Sequence, residues 1–315
     1  MGRLPAIPVI AGVLFSAVLS LAGCATPQLT ALPAQLPATV PPRIELSAVP
    51  FYPQEDFQCG PAALATVLAD AGVAVSPEAL VPQVYLPARE GSLQIELLAA
   101  ARRHGLAAYP LAPRLADLLQ EVAGGAPVIV LQNRAFSFAP LWHYAVVIGY
   151  DLPREEIVLR SGTTRRLVMT ISNFERTWAR SGYWSMMALQ PQRLPVTAAE
   201  DRYVASVVAL ERVAPGAAQR AYQTALERWP DNLTARIGLG NTAHAQGDFA
   251  AAETAYREAT RRHPQAADAW NNLAQALLDL RRRDEALLAA RRAVDIGGPS
   301  LVEYQSTLKA AVDAH

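Results

Sequence analysis

Pro230 and Pro264 stand 34 residues apart, and small and large residues fall at fixed offsets between them: Leu239-Gly240, Ala243, Gly247, Ala252, Tyr256 and Ala259. A period of that length suits a pair of helices that packs first on itself and then on the next pair. The following unit carries Trp270, Leu273-Ala274, Leu277, Ala286, Ala290 and Ala293. An earlier unit keeps Ala218, Tyr222, Ala225 and Pro230 behind an atypical first helix at about 198–211. Two good units, one degenerate unit and a closing helix at about 301–314 meet the need of such a stack for about three units. Tyr222, Tyr256 and Trp270 then read as packing residues, and Arg281-Arg282-Arg283 as a solvated turn between helices.

This pattern resembles the tetratricopeptide repeat, so 198–315 is expected to be an all-α repeat domain. The resemblance implies a protein partner or a peptide substrate held on the concave face.

Upstream the texture differs. Ala63, Leu64, Val67 and Leu68 recur at helical spacing behind Cys59, with Pro61 in the first turn and Gly72 beyond the end. Ser76-Pro77 opens another helix as cap and first residue, and further helices are expected from Ser92 to about 104 and over about 115–122. Short apolar runs follow at 128–131, 143–150, 156–161, 166–169 and 184–189. Ser172-Asn173-Phe174-Glu175 has the form of a capping box opening a short helix before the last run. Helices first and a meandering antiparallel sheet after them give an α+β domain over 45–192.

The N-terminus has a third texture. A basic start and an apolar run over 4–22 end in Leu21-Ala22-Gly23-Cys24, which resembles the bacterial lipobox. That implies a signal peptide over 1–23, a lipidated Cys24 and a chain anchored to a lipid membrane in the cell envelope. Ala25 after the cysteine suggests the outer membrane, facing the periplasm. An ordinary signal peptide or a retained membrane anchor is the alternative. Pro27, Pro33, Pro37, Pro41 and Pro42 lead to the expectation of an extended tether over 24–44 that packs no core. The formal net charge of zero removes any bulk argument for nucleic acid. No metal-ligand cluster and no cofactor motif is found.

Cys24 and Cys59 are the two cysteines of the chain. With Cys24 lipidated, Cys59 is a lone thiol at the positive end of a helix, a position that favours thiolate. It needs a base. His244, His263 and His315 fall in the helical repeats and His104 at a helix end, which leaves His143 at the start of a buried strand.

Gln54 and Cys59-Gly60-Pro61-Ala62, together with His143-Tyr144-Ala145-Val146-Val147, resemble the bacteriocin-processing cysteine peptidases, a papain-like family that trims leaders after a double glycine. The resemblance covers about 49–190, including the 85–91 loop. It implies a papain-like fold, with Cys59 as nucleophile, His143 as base and Gln54 in the oxyanion hole; Gln58 is the competing glutamine. The family orients its histidine with Asp or Asn on the next strand. Asp151 is too far along its own strand, over ~20 Å away, and reads as a turn residue. A hairpin turning at Leu152-Pro153 brings a residue near Ser161 opposite His143, so Ser161 is the candidate orienter. A membrane-anchored cysteine peptidase with partner-binding repeats is the reading that results. An inactive peptidase-fold scaffold, or another acyl transfer by the same thiol, is the alternative.

Overall fold

The computed structural model describes residues 26–54 and 58–314. In chain order the elements of the first part are α1 (Pro27–Gln35), β1 (Arg43–Glu45), α2 (Cys59–Asp70), α3 (Pro77–Val84), β2 (Tyr85–Leu86), β3 (Gly91–Ser92), α4 (Gln94–Arg103), β4 (Ala107–Pro110), α5 (Leu115–Ala123), β5 (Val128–Asn133), β6 (Trp142–Asp151), β7 (Glu156–Ser161), β8 (Thr164–Thr170), α6 (Ile171–Ala179) and β9 (Ser185–Leu189). The second part is helical: α7 (Glu200–Glu211), α8 (Pro215–Arg228), α9 (Leu233–Ala245), α10 (Phe249–Arg262), α11 (Ala267–Asp279), α12 (Arg283–Ile296) and α13 (Leu301–Asp313). An α+β domain followed by a stack of helical repeats is the fold.

Seven strands form one antiparallel sheet in the order β4-β9-β5-β6-β7-β8, with β1 added on β6. Strand β6 is buried from His143 to Tyr150, and its side chains alternate between two cores. Tyr144, Val146 and Ile148 face α2, α3 and α4. Ala145 and Val147 face α5, α6 and α1. β5 pairs with β6 up to Val147, and β1 continues along it from Gly149. At that junction a side chain on Gly149 would come within 2.5 Å of the Ile44 carbonyl oxygen, so only glycine lets β1 close on the sheet.

The tether expected over 24–44 is replaced, within the described residues, by α1 and β1. Its prolines misled: Pro27 sits at the first helical position, where a missing N–H costs nothing. Leu32 is buried, and Leu29 and Leu36 pack against the same core. What fixes the helix is distant in sequence. The buried Glu175 carboxylate accepts from the Gln28 N–H at 2.9 Å and the Leu29 N–H at 2.8 Å, capping the positive end of α1. Glu175 therefore does not close a capping box on its own helix. α6 begins earlier, at Ile171, with the Thr170 hydroxyl accepting from the Asn173 N–H. Strand β4 has no counterpart in the sequence reading, because four residues carry too little alternation to show. Cys24 and the signal segment lie outside the described residues.

The repeats do not hang free. Helix α7 packs on edge strand β4, and Tyr203 joins the core beneath the sheet beside Tyr109, with Trp229 behind it. Buried Glu121 accepts from the Val196 and Thr197 N–H groups at 3.0 and 2.7 Å and from the Thr197 hydroxyl, tying α5 to the connection between the two parts. Within the stack, Gly238 and Gly240 lie under Tyr222 and Tyr256, whose rings fill the space a side chain would need. Arg281 turns the chain between α11 and α12 with positive φ, and Arg282 pairs there with Glu285 and Glu253.

Replacing Glu175 with alanine removes both acceptors from the α1 amides. The expected cost is on the order of 2 kcal/mol in chemical denaturation. Hydrogen exchange should rise over residues 27–35 first; unchanged exchange there would show that α1 is held by its apolar side alone.

Candidate active site

Helix α2 starts at Cys59, and its first turn is buried against the rest of the domain. A side chain on Gly60 would meet the Ser92 hydroxyl at 2.3 Å, so glycine is what lets the β2–β3 hairpin close on the start of the helix. The Tyr144 hydroxyl donates to the Ser92 carbonyl at 3.2 Å. Helix start, hairpin and β6 are thereby locked together around the cysteine. Pro61 falls in the first turn, where no N–H partner is required.

Cys59 is the free cysteine among the described residues. The backbone amides of Tyr144, Gly60 and Cys59 act on its sulfur electrostatically and favour the thiolate. Burial nonetheless wins and pushes the thiol up, while those amides and the Arg134 charge pull it down. The thiolate expected from the helix start alone is therefore not the resting form. The phenol of Tyr144 is likewise raised, by burial first and the neighbouring thiol second.

His143 lies 6% exposed at the start of β6. Its Nε2 stands 2.8 Å from the Ser161 hydroxyl at the end of β7. That bond occupies Nε2 and leaves Nδ1 as the free ring nitrogen, and His143 itself is not among the residues that line the pocket at Cys59. Gln132, opposite His143 on β5, donates to the Thr177 hydroxyl of α6 at 2.7 Å and braces the strand from the other side. Burial, reinforced by Arg134, holds the imidazole down at about 4. Thiol and ring are both uncharged at neutral pH.

A small pocket opens beside the sulfur, walled by Tyr52, Gln54, Tyr144, Arg160 and Ser161. The Gln54 N–H donates to the Gly162 carbonyl at 3.3 Å, so the segment before the cysteine is pinned to the turn after Ser161. Arg160 donates to the carbonyls of Ser47 and Val49 and fixes the approach of that segment. Gln54, Cys59 and Ser161 thus line one pocket, and Ser161 links it to His143. Asp151 lies at the opposite end of β6, paired with Arg43 and Glu156, and its carboxylate accepts from the Arg154 N–H as a turn residue does. Arg134, Arg160 and Tyr144 were not singled out in the sequence. Only Tyr144, beside His143 on a buried strand, carried a signal there. Among the described residues no cluster of three or more His, Cys, Asp or Glu is placed to hold a metal ion.

Residues 46–186 match the profile of the Peptidase_C39 like family, and residues 208–259 and 239–300 match the tetratricopeptide repeat. Among solved structures, one described as a C39-like peptidase from Bacillus anthracis is 21% identical, with a TM-score of 0.39, over 47% of this chain and 97% of that one. The TPR2B domain of yeast Sti1 in its pHsp70 complex is 17% identical, with a TM-score of 0.32, over 33% of this chain and 87% of that one. No curated protein matches the chain. The chain joins a C39-like peptidase domain to tetratricopeptide repeats.

The ring of His143 gives a measurable pH signature. As pH falls through the ordinary imidazole value of 6.5, the unfolded chain takes up a proton that the folded ring refuses until about 4. Stability is untouched above that window, declines across it, and has lost about 3 kcal/mol below it. An NMR titration should place His143 near 4; an ordinary imidazole midpoint would contradict its burial.

Proposed function

We propose that the chain is a cysteine peptidase held at a membrane through a lipidated Cys24, with repeats that recruit a peptide substrate or a protein partner. The observation that carries the enzymatic part is the His143–Ser161 hydrogen bond at 2.8 Å beside the pocket that holds Cys59. It sets the ring so that Nε2 is occupied and Nδ1 can accept a proton.

In this reading the Cys59 thiol gives its proton to His143 Nδ1 as the sulfur attacks the scissile carbonyl carbon. The tetrahedral oxyanion is met by the Cys59 N–H and the Gln54 side chain. Collapse breaks the C–N bond, and the protonated ring gives its proton to the leaving amine. Water, deprotonated by the same ring, then opens the thioester and restores the thiol. Since thiol and ring start uncharged, the ion pair forms only with substrate in place. Arg134 acts on both groups: its charge favours the thiolate and opposes the imidazolium.

A scaffold without activity is the second reading. It is favoured by one feature: burial raises the Cys59 thiol and holds it protonated.

An electrophilic peptide probe on the full chain separates the two. Labelling should be confined to Cys59 and lost in Cys59→Ala and His143→Ala. Ser161→Ala should lower kcat with KM held, and Gln54→Ala should lower kcat by about 10²–10³. Labelling of wild type and His143→Ala at equal rates would leave the scaffold.

A further inference from the structure

The hairpin between β5 and β6 carries the main cluster of exposed apolar side chains near the site: Phe136 is 66% exposed, Phe138 85%, Leu141 60% and Trp142 49%. The cluster is built. Buried Asn133 accepts from the Ala135 and Leu141 N–H groups, both at 3.0 Å, and donates to the Phe136 carbonyl at 3.2 Å. The rings of Phe136 and Phe138 stack with centroids 5.3 Å apart and planes 10° apart. A polar side chain thus holds the loop's backbone while its aromatic side chains are presented outward. Exposed apolar side chains clustered in this way mark an interaction surface.

The position of the hairpin says which surface. Arg180, just past the end of α6, donates to the Asn133 and Ala135 carbonyls at the hairpin base. Five residues earlier on the same helix, Glu175 clamps the first turn of α1. Five helical residues rise only about 7.5 Å. Hairpin base and chain entry are therefore fastened to α6 a turn and a half apart. Only Ala25 and Thr26 separate Cys24 from Pro27, where α1 begins. With Cys24 acylated, no spacer remains, and the domain must lie against the bilayer that holds it. Exposed Arg134 and Arg180 flank the aromatic residues, the pairing of Trp, Phe and Leu with cations that suits an interface of anionic headgroups and acyl chains.

We infer that the Phe136–Trp142 hairpin docks into the lipid surface, so that the domain is held at two points and His143, the next residue, works at the membrane interface. This rests on the Cys24 anchor proposed above.

The test uses the full chain recovered from membranes and placed in phosphatidylethanolamine–phosphatidylglycerol vesicles with brominated acyl chains. The difference in emission between wild type and Trp142→Phe isolates Trp142. The chain should float with the vesicles and most of the Trp142 emission should be quenched. The double variant Phe136→Ser/Phe138→Ser should still float but lose the quenching. Flotation without quenching of Trp142 overturns the docking and leaves the anchor standing; a KM rise for peptide in the double variant would then make the hairpin a substrate wall. Failure of the full chain to float overturns both.

Discussion

Everything in the first domain is fastened to β6. Its eight buried residues separate two cores, one under α2 and one under α5 and α6. One edge is taken by β5 and then β1, and the other by β7 from Val146 onward. A strand this constrained cannot shift register without moving an entire row of side chains to the other face. His143 at its start and the Tyr144 amide that meets the Cys59 sulfur are therefore placed by the sheet and not by a loop. The closing of β1 on Gly149 secures the other end.

That rigidity has an electrostatic cost, which the site accepts. Holding thiol and imidazole in a mostly apolar setting disfavours both charged forms; the helix-start amides and Arg134 offset this in part for the thiolate, whereas for the imidazolium Arg134 adds to it. Both groups are thus uncharged at rest. Such a resting state protects the Cys59 thiol from chance alkylation and oxidation, which require thiolate.

What could be read in advance depended on how local its cause was. The repeats showed in the 34-residue spacing of Pro230 and Pro264, because each unit packs by its own small and large residues. The Cys59 helix and the His143 strand showed in periodicity. Counting around the hairpin brought Ser161 back toward His143 and put Asp151 at the far end of the strand, because strand rise is nearly constant; the register stops short of pairing the two, and the Ser161 hydroxyl makes the contact. Helix α1 was missed because its cap, Glu175, lies 146 residues beyond Leu29, and its prolines argued for a tether. The protonation state of Cys59 was misjudged for the same reason. The helix start is visible in sequence, whereas burial comes from elements spread along the chain.

The packing of α7 on β4 reaches further than joining two parts. Tyr109, Tyr203 and Trp229 belong to one apolar cluster that also contains Val147 and Leu159 of the sheet. The first repeat therefore completes the interior of the neighbouring domain. Cutting the chain before α7 would leave the β4 side of that interior bare, and heating should melt both parts in one transition. Damage to the repeats, far from Cys59 in sequence, becomes damage to the sheet that carries His143.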